Sequence, residues 1–145
     1  MTRVDSRGRR FVTSADELDS VLADWADGHL EDFDAAALAA GYPLATGKTP
    51  LVYLQNSGLG NLVNPLLSLL YEEVYGIPCI FVVGWRGEPD QHDEPQHLVQ
   101  GRLSVPLLAT MSVQTFVLTG ETAAAEVAAW REEMRPRLAA GGQCA

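Results

Sequence analysis

The chain has 145 residues, of which 47% are hydrophobic and 20% charged, as is usual for a single globular domain. Its formal net charge of −9 argues against nucleic acid as a partner, because neutralising phosphates requires clustered lysine and arginine. No apolar run approaches 18 residues and no signal-type segment follows the basic start, so we expect a cytoplasmic protein without a membrane span. Cys79 and Cys144 provide neither a disulfide framework nor the spacing of metal ligands.

Apolar periodicity and chain-breaking residues predict helices that alternate with strands. An amphipathic helix is predicted over residues 15–29, and an Ala-rich helix over residues 34–47 that Pro43 should end or kink. The elements that follow are a strand over 49–54, a helix over 60–76, a strand over 77–85, a helix over 96–108, a strand over 113–120 and a helix over 121–134.

This alternation predicts an α/β fold with an open, mainly parallel sheet and helices on both faces. Residues 79–83 show no polar alternation, which is typical of a strand in a sheet that is covered on both faces. We expect residues 11–138 to form this domain. Residues 1–10 are predicted to be a flexible N-terminus, and residues 139–145 a disordered tail.

Two loops, over residues 55–61 and 84–96, each follow a predicted strand. Ligands bind beyond the carboxyl ends of the strands in such sheets, so the two loops should meet at one edge. Gly58 and Gly60 permit positive φ and close backbone approach, but both phosphate fingerprints fail, since the third glycine would be Val63 and no Gly-Lys-Ser/Thr follows. A structural turn and a ligand-binding turn both fit these glycines. The second is favoured by polar side chains beyond what one helix cap requires: Asn56, Ser57, Asn61 and Asn64.

The second loop is dense in charged and polar side chains. A solvated loop explains many of these charges, whereas Trp85 and two prolines favour an ordered loop. His92 and His97 lie five residues apart with carboxylates between them, which is a weak metal-ligand spacing, so we expect no metal site.

Three segments are long and unusual enough to indicate a family: YLQNSGLGNLVNPLLSL over 53–69, GIPCIFVVGWRGEP over 76–89 and DEPQHLVQGR over 93–102. In this order and spacing they resemble the phosphonopyruvate and sulfopyruvate decarboxylase family of thiamine diphosphate enzymes. The resembled part is the pyrimidine-binding (PYR) domain, which is a separate alpha subunit in the two-chain members. The resemblance extends over residues 31–130.

The resemblance implies roles for both loops. The glycine turn should lie near the aminopyrimidine end of the cofactor, and Gln96 and His97 over the reactive side of the same cleft, with His97 a catalytic candidate. Arg86 and Arg102 are candidates for an anionic group of a small 2-oxo acid substrate, although each could instead pair with Glu88, Asp93 or Glu94. The implied cofactor-binding residues are Asn56, Ser57, Gly58, Leu59, Gly60, Asn61 and Gln96.

The resemblance also implies a partner chain. In this family the diphosphate and Mg²⁺ are held by a pyrophosphate-binding (PP) domain with a Gly-Asp-Gly motif and a later Asn, and this sequence contains no Gly-Asp-Gly. We therefore expect a beta-type subunit that carries this domain. At least two copies of each chain are expected to associate.

The chain departs from the family at its front. The catalytic glutamate of the family aligns with Asp32, between Glu31 and Phe33, and no room is left after Gly28 for the strand that precedes it, so the fold is expected to be shortened at the N-terminus. Aspartate is shorter by one C–C bond, about 1.5 Å, and a displacement of that size can cost about 100-fold in rate. Glu31 would be turned by about 100° if it replaced Asp32.

Two hypotheses follow from these departures. The first is an active subunit of a decarboxylase or carboligase, with Asp32 or Glu31 as the activating acid. The second is a degenerate, non-catalytic PYR-like subunit that pairs with a PP-domain chain for structure or regulation.

Overall fold

The computed structural model describes residues 3–4, 10–11 and 32–145, and at positions 3–4, 10–11 and 32–34 it describes the backbone alone. The predicted helix over 15–29 lies outside the described residues. The elements are β1 (Arg3–Val4), β2 (Arg10–Phe11), α1 (Asp32–Thr46), β3 (Leu51–Gln55), α2 (Leu59–Pro65), β4 (Cys79–Gly84), α3 (Pro95–Thr110), α4 (Ala124–Ala139) and β5 (Gln143–Cys144). A 3-10 turn (Asn56–Gly58) joins β3 to α2, and a π-helical turn (Leu66–Leu70) follows α2.

The central sheet is parallel, in the order β3-β4-β5, and β1 and β2 form a separate antiparallel pair. In the central sheet Tyr53 pairs with Val82 and Cys79 with Gln143. The prediction of an open parallel α/β sheet is therefore confirmed.

The core lies on one face of this sheet. Val52, Leu54, Cys79 and Phe81 are buried there, because alternate residues of a strand point to the same face. Each buried side chain of this size contributes roughly 1.5–3 kcal/mol to folding. Small side chains let α1 approach closely, and its buried residues are Ala35, Ala36, Ala39 and Ala40.

The opposite face is less covered. Leu51, Tyr53 and Val82 are exposed on it, with Tyr53 60% accessible. The apolar strands are therefore buried on one side and partly open on the other. Beside this face lies a pocket of about 850 Å³ whose lining includes Val82, Phe116, Leu118, Val127, Trp130 and Met134.

The third strand of the sheet is not the predicted one. Residues 113–120 form no regular strand, although Gln114 bridges to Cys144 and three backbone hydrogen bonds join Gln114 and Phe116 to residues 143–145. The strand beside β4 is β5. The prediction that residues 139–145 form a disordered tail is therefore wrong. Gln143 is buried, and its amide Nε2 donates to the carbonyl oxygens of Leu70 (2.8 Å), Ile77 (2.9 Å) and Gly141 (2.9 Å).

A glycine contact lets this segment enter the sheet. Gly141 has a φ of +84°, and a Cβ there would lie 2.3 Å from the carbonyl oxygen of Gly76. Cys144, which the sequence places in a polar segment, is fully buried, and burial raises the pKa of its thiol. Burial likewise raises the pKa of Cys79.

Two helix ends differ from expectation. Pro43 lies inside α1, and the helix continues to Thr46, where Gly47 N donates to Pro43 O at 2.8 Å. The predicted helix over 60–76 ends at Leu70 instead. The amide of Tyr71 donates to Leu66 O at 2.8 Å, an i to i+5 bond that closes the last turn before the chain changes direction.

Candidate functional site

The loops after β3 and β4 meet, as the topology predicts. Gln55 and Gly84 are paired in register, so both loops begin at the same height of the sheet. Asn56 is only 3% exposed and joins them. Its Nδ2 donates to Arg86 O (2.7 Å) and to Ser104 Oγ (2.9 Å), and its Oδ1 accepts from Arg86 N (3.2 Å). The predicted cofactor residue Asn56 thus uses its amide inside the protein.

The second loop sits directly on α3. Gly87 has a φ of +67°, and a Cβ at Gly101 would lie 1.7 Å from the carbonyl oxygen of Gly87. Trp85 Nε1 donates to Gly101 O at 2.8 Å on the same stretch of helix. This backbone contact requires glycine at both positions, which explains why the glycines of "WRG" and "VQGR" occur where they do.

Asp93 organises the charged part of this loop. Its carboxylate accepts from Arg86 Nε (2.9 Å), Arg86 Nη2 (2.6 Å), Gly87 N (2.7 Å) and Glu94 N (2.8 Å), and its Oδ1 lies within hydrogen-bond distance of His97 Nδ1 (3.0 Å). The hydrogen bond from Arg86, followed by that from His97, holds the pKa of Asp93 well below its usual range. Asp93 is therefore ionised at any ordinary pH.

Arg86 forms an ion pair within the loop, which is one of the two alternatives that the sequence left open. It pairs with Asp93 through Nε and Nη2, and this hydrogen bond raises the pKa of the guanidinium. Its side chain is nevertheless 43% exposed, and Nη1 forms no hydrogen bond to a described residue. Arg86 can thus hold the loop with one side of its guanidinium and offer the other to an anion.

The remaining predicted residues divide by exposure. Gly58 and Leu59 are buried, whereas Ser57, Gly60, Asn61, Gln96 and Arg102 are exposed. Gly58 has a φ of −80°, and Gly60 is not among the glycines with positive φ, so neither uses the conformation that the sequence suggested. A Cβ at Gly60 would have no heavy atom within 4 Å. Gly60 therefore has open space beside its Cα and no backbone strain.

Arg102 lies outside the Asp93 cluster, and the side chains of the two candidate acids are not among the described ones. Arg102 lies on α3 and forms no ion pair with a described residue. Glu31 lies outside the described residues. Asp32 is the first residue of α1, and its side chain is likewise outside the described part. The roles predicted for both acids stay predictions.

No metal or membrane signature stands out in the part of the chain that the structure describes. Among residues 35–145, whose side chains the structure describes, there is no group of three His, Cys, Asp or Glu side chains that could hold a metal ion. No helix there is long and apolar enough to cross a bilayer.

Sequence reasoning missed two residues that build the site. Asp93 was considered only as an ion-pair partner, although a carboxylate four residues before a histidine on a helix start is a recognisable signal. Ser104 is buried in the middle of α3, donates to Gln100 O (2.7 Å) and accepts from Asn56. Nothing in the local sequence marks it.

The chain is similar to four curated proteins of two kinds. It is 43% identical over 94 residues to a phosphonopyruvate decarboxylase of Streptomyces viridochromogenes, covering 63% of this chain and 23% of that protein. It is 38% identical over 104 residues to the enzyme of that name from Streptomyces hygroscopicus, covering 70% of this chain and 25% of the other. It is 36% identical over 99 residues to the sulfopyruvate decarboxylase subunit alpha of Methanothermobacter thermautotrophicus, covering 66% of this chain and 58% of that subunit.

The chain thus spans about a quarter of the phosphonopyruvate decarboxylases and somewhat more than half of the alpha subunit. No family model and no solved structure matches it.

Proposed function

We propose, because this chain belongs to the phosphonopyruvate and sulfopyruvate decarboxylase family, that it is the pyrimidine-binding, alpha-type subunit of a two-chain thiamine diphosphate-dependent 2-oxo acid decarboxylase or carboligase. One observation supports this most directly. At the carboxyl edge of β3 and β4, exposed polar residues follow and precede a hydrogen-bonded internal cluster in the chain, and the same edge carries the segments that resemble the family.

The groups at this edge fit the aminopyrimidine end of the cofactor. Ser57 and Asn61 offer a hydroxyl and an amide, and Gly60 leaves the space above its Cα open, so that a flat ring can approach the backbone. Ser57 Oγ is held 3.1 Å from Gln55 Oε1, which orients it at the end of β3. When bound, thiamine diphosphate supplies the electron sink that loss of CO₂ from a 2-oxo acid requires.

The diphosphate and Mg²⁺ would be held by a partner chain. Magnesium is bound through carboxylate and carbonyl oxygens together with phosphates. We assign that role to a beta-type PP-domain subunit with a Gly-Asp-Gly motif and a later Asn. The similarity to a protein named as a subunit alpha supports a two-chain assembly, which we expect to hold at least two of each chain in the cytoplasm.

The substrate would lie on the side of Arg86, Gln96 and His97. Nη1 of Arg86 is unbonded among the described residues, while Asp93 fixes the rest of the guanidinium, so the charge is presented in a fixed direction. Arg102 adds a second exposed cation farther along α3. A small 2-oxo acid with a second anionic group, such as a phosphonate or sulfonate, suits the guanidinium of Arg86, while Arg102, outside the Asp93 cluster, would contribute through the longer-range attraction of its charge.

The test is co-expression of this chain with a beta-type chain that carries Gly-Asp-Gly. We expect a stable complex that retains thiamine diphosphate in the presence of Mg²⁺ and releases CO₂ from phosphonopyruvate or sulfopyruvate, while each chain alone does neither. Activity of this chain alone, or failure of the complex to bind thiamine diphosphate, would contradict the proposal.

The second candidate is the degenerate subunit, and Asp32 at the position of the family glutamate favours it. In the assembled complex Asp32→Asn should abolish decarboxylation without affecting assembly if Asp32 is the activating acid. Asp32→Glu separates the candidates. An active complex should tolerate it, whereas an inactive complex that gains activity would show that the aspartate had disabled the site.

A further inference from the structure

The two ring nitrogens of His97 have different surroundings. Its side chain is 17% exposed, and Nδ1 lies 3.0 Å from Asp93 Oδ1. Nε2 forms no hydrogen bond to a described residue and is not among the buried unpaired atoms of residues 35–145. One ring nitrogen thus faces a carboxylate, and the other is accessible.

The carboxylate fixes which nitrogen carries the proton. Because Asp93 remains ionised, it can only accept hydrogen bonds. Nδ1 must therefore donate, and in the neutral ring Nε2 keeps the lone pair. Imidazole that is not held in this way exchanges between two tautomers, so the partner of one nitrogen decides the chemistry of the other.

Asp93 is well suited to orient His97 because four other hydrogen bonds hold its own carboxylate. Its Oδ2 accepts from Gly87 N and Arg86 Nε, and its Oδ1 accepts from Glu94 N and Arg86 Nη2. The loop that carries these donors sits on α3 through Gly87 and Gly101. Each carboxylate oxygen thus accepts a hydrogen bond from a backbone amide, in addition to the contact with His97.

We propose that Asp93 is a positioning residue that holds His97 as the Nδ1–H tautomer and thereby makes Nε2 the proton-accepting atom at this edge. The tautomer is a property of this chain alone. The use of Nε2 in turnover rests on the proposed function, in which His97 borders the substrate. The same logic orients imidazole in hydrolytic triads, where a carboxylate holds Nδ1–H and leaves Nε2 to act.

The tautomer is measured first, by long-range ¹H–¹⁵N correlation of the full chain above the pH at which its imidazoles titrate. His92 is exposed and serves as an internal reference. We expect His97 to show a protonated Nδ1 and an unprotonated Nε2, and His92 a mixture of tautomers. A protonated Nε2 at His97, or a mixture like that of His92, would overturn the proposal, and this result does not require any variant to fold.

Three variants test whether Asp93 sets the tautomer of His97. Asp93→Asn should shift His97 toward the mixture seen for His92, whereas Glu94→Gln, which removes the neighbouring negative charge, should leave the tautomer of His97 unchanged. Arg86→Lys breaks the paired guanidinium but spares the bond from His97, so it should also keep the Nδ1–H tautomer. An unchanged tautomer in a folded Asp93→Asn would contradict the inference.

Turnover is measured in the assembled complex. Positioned acid–base groups contribute about 10²- to 10⁴-fold, so Asp93→Asn should lower kcat by at least about tenfold, with a smaller change in KM. In the double variant with His97→Gln the losses should not add, because both act through one atom. Additive losses would overturn the positioning role. If the wild-type complex shows no decarboxylation, the proposed function fails, and the tautomer experiment still decides the inference.

Discussion

The loops after β3 and β4 carry similar polar side chains, but in the second loop these bond within the protein and in the first most of them face solvent. In the loop after β4, Arg86 and Asp93 bond to each other, and Gly87 packs against α3. In the loop after β3, only Asn56 turns inward, while Ser57 and Asn61 are exposed. Polar composition at a sheet edge therefore does not separate the residues that build a site from those that meet a ligand.

The difference has an energetic consequence. An inward-facing group that loses its partner leaves a buried donor or acceptor unpaired, which costs roughly 1–3 kcal/mol. An outward-facing group has water as its alternative partner, so its loss changes folding by only a few tenths of a kcal/mol. Substitutions in the two loops should consequently separate into those that destabilise the chain and those that affect ligand binding.

The largest effect is expected at Gly101. The Cβ of Gly101→Ala would lie 1.7 Å from Gly87 O and 2.8 Å from Gly87 Cα, both backbone atoms, so the loop must lift from α3. We expect a loss of about 3 kcal/mol in the free energy of unfolding, measured by urea denaturation, since overpacking typically costs 1–3 kcal/mol and occasionally more.

The matched control is Gly41→Ala in α1, where an added Cβ has no heavy atom within 4 Å. It should be neutral or slightly stabilising, because alanine favours helix over glycine. Equal stability of Gly101→Ala and Gly41→Ala would show that the loop does not pack against α3 as described.

A smaller effect, dependent on pH, is expected at Asp93. Its pKa is lowered in the folded chain, so between the folded value and the unfolded value near 4 the unfolded chain binds more protons. The stabilising contribution of Asp93 is therefore complete above about pH 4 and is lost as the pH falls through the folded pKa.

Urea denaturation of the wild type and Asp93→Asn at pH 7 and at successively lower pH measures this contribution. The stability difference between the two should be largest at pH 7 and should narrow below about pH 4. Glu94→Gln removes a neighbouring charge whose side chain forms no hydrogen bond to a described residue, and it serves as the control. A difference that widens on acidification would contradict the pKa direction.

Much of this architecture follows from the sequence. The buried strands β3 and β4 have short apolar runs, and the parallel order brings their loops to one edge, so the meeting of the two loops was predictable, whereas the contact between Asn56 and Arg86 was not. β5 was not, because two residues cannot show a period and Gly141 and Gly142 indicate a chain end. Its burial depends on Gln143 reaching Leu70 and Ile77, which are distant in sequence.

The side-chain network was likewise only partly predictable. The sequence offered Glu88, Asp93 and Glu94 as alternative partners of Arg86, and local spacing does not choose among them. The choice depends on the φ of +67° at Gly87, which brings the amide of that residue to Asp93 together with the guanidinium. Tertiary contact between Gly87 and Gly101 fixes this turn, and no pattern within the loop reveals it.

The smallest effect on folding, and the most specific one on function, is expected at Gly60. Gly60 belongs to the first turn of α2, and a Cβ there meets open space, so Gly60→Ala should leave the free energy of unfolding unchanged or raise it by up to about 1 kcal/mol.

In the assembled complex, however, the added methyl would occupy the space proposed for the aminopyrimidine ring. We expect thiamine diphosphate to bind at least tenfold more weakly, as measured by calorimetry, with Gly41→Ala in α1, where an added Cβ also has no heavy atom within 4 Å, as the matched control. A folded Gly60→Ala complex that binds the cofactor as tightly as the wild type would remove the glycine turn from the cofactor site. The turn would then be part of the scaffold, as Asn56 is, and the groups left to meet a ligand at this edge would be Arg86, Gln96 and His97.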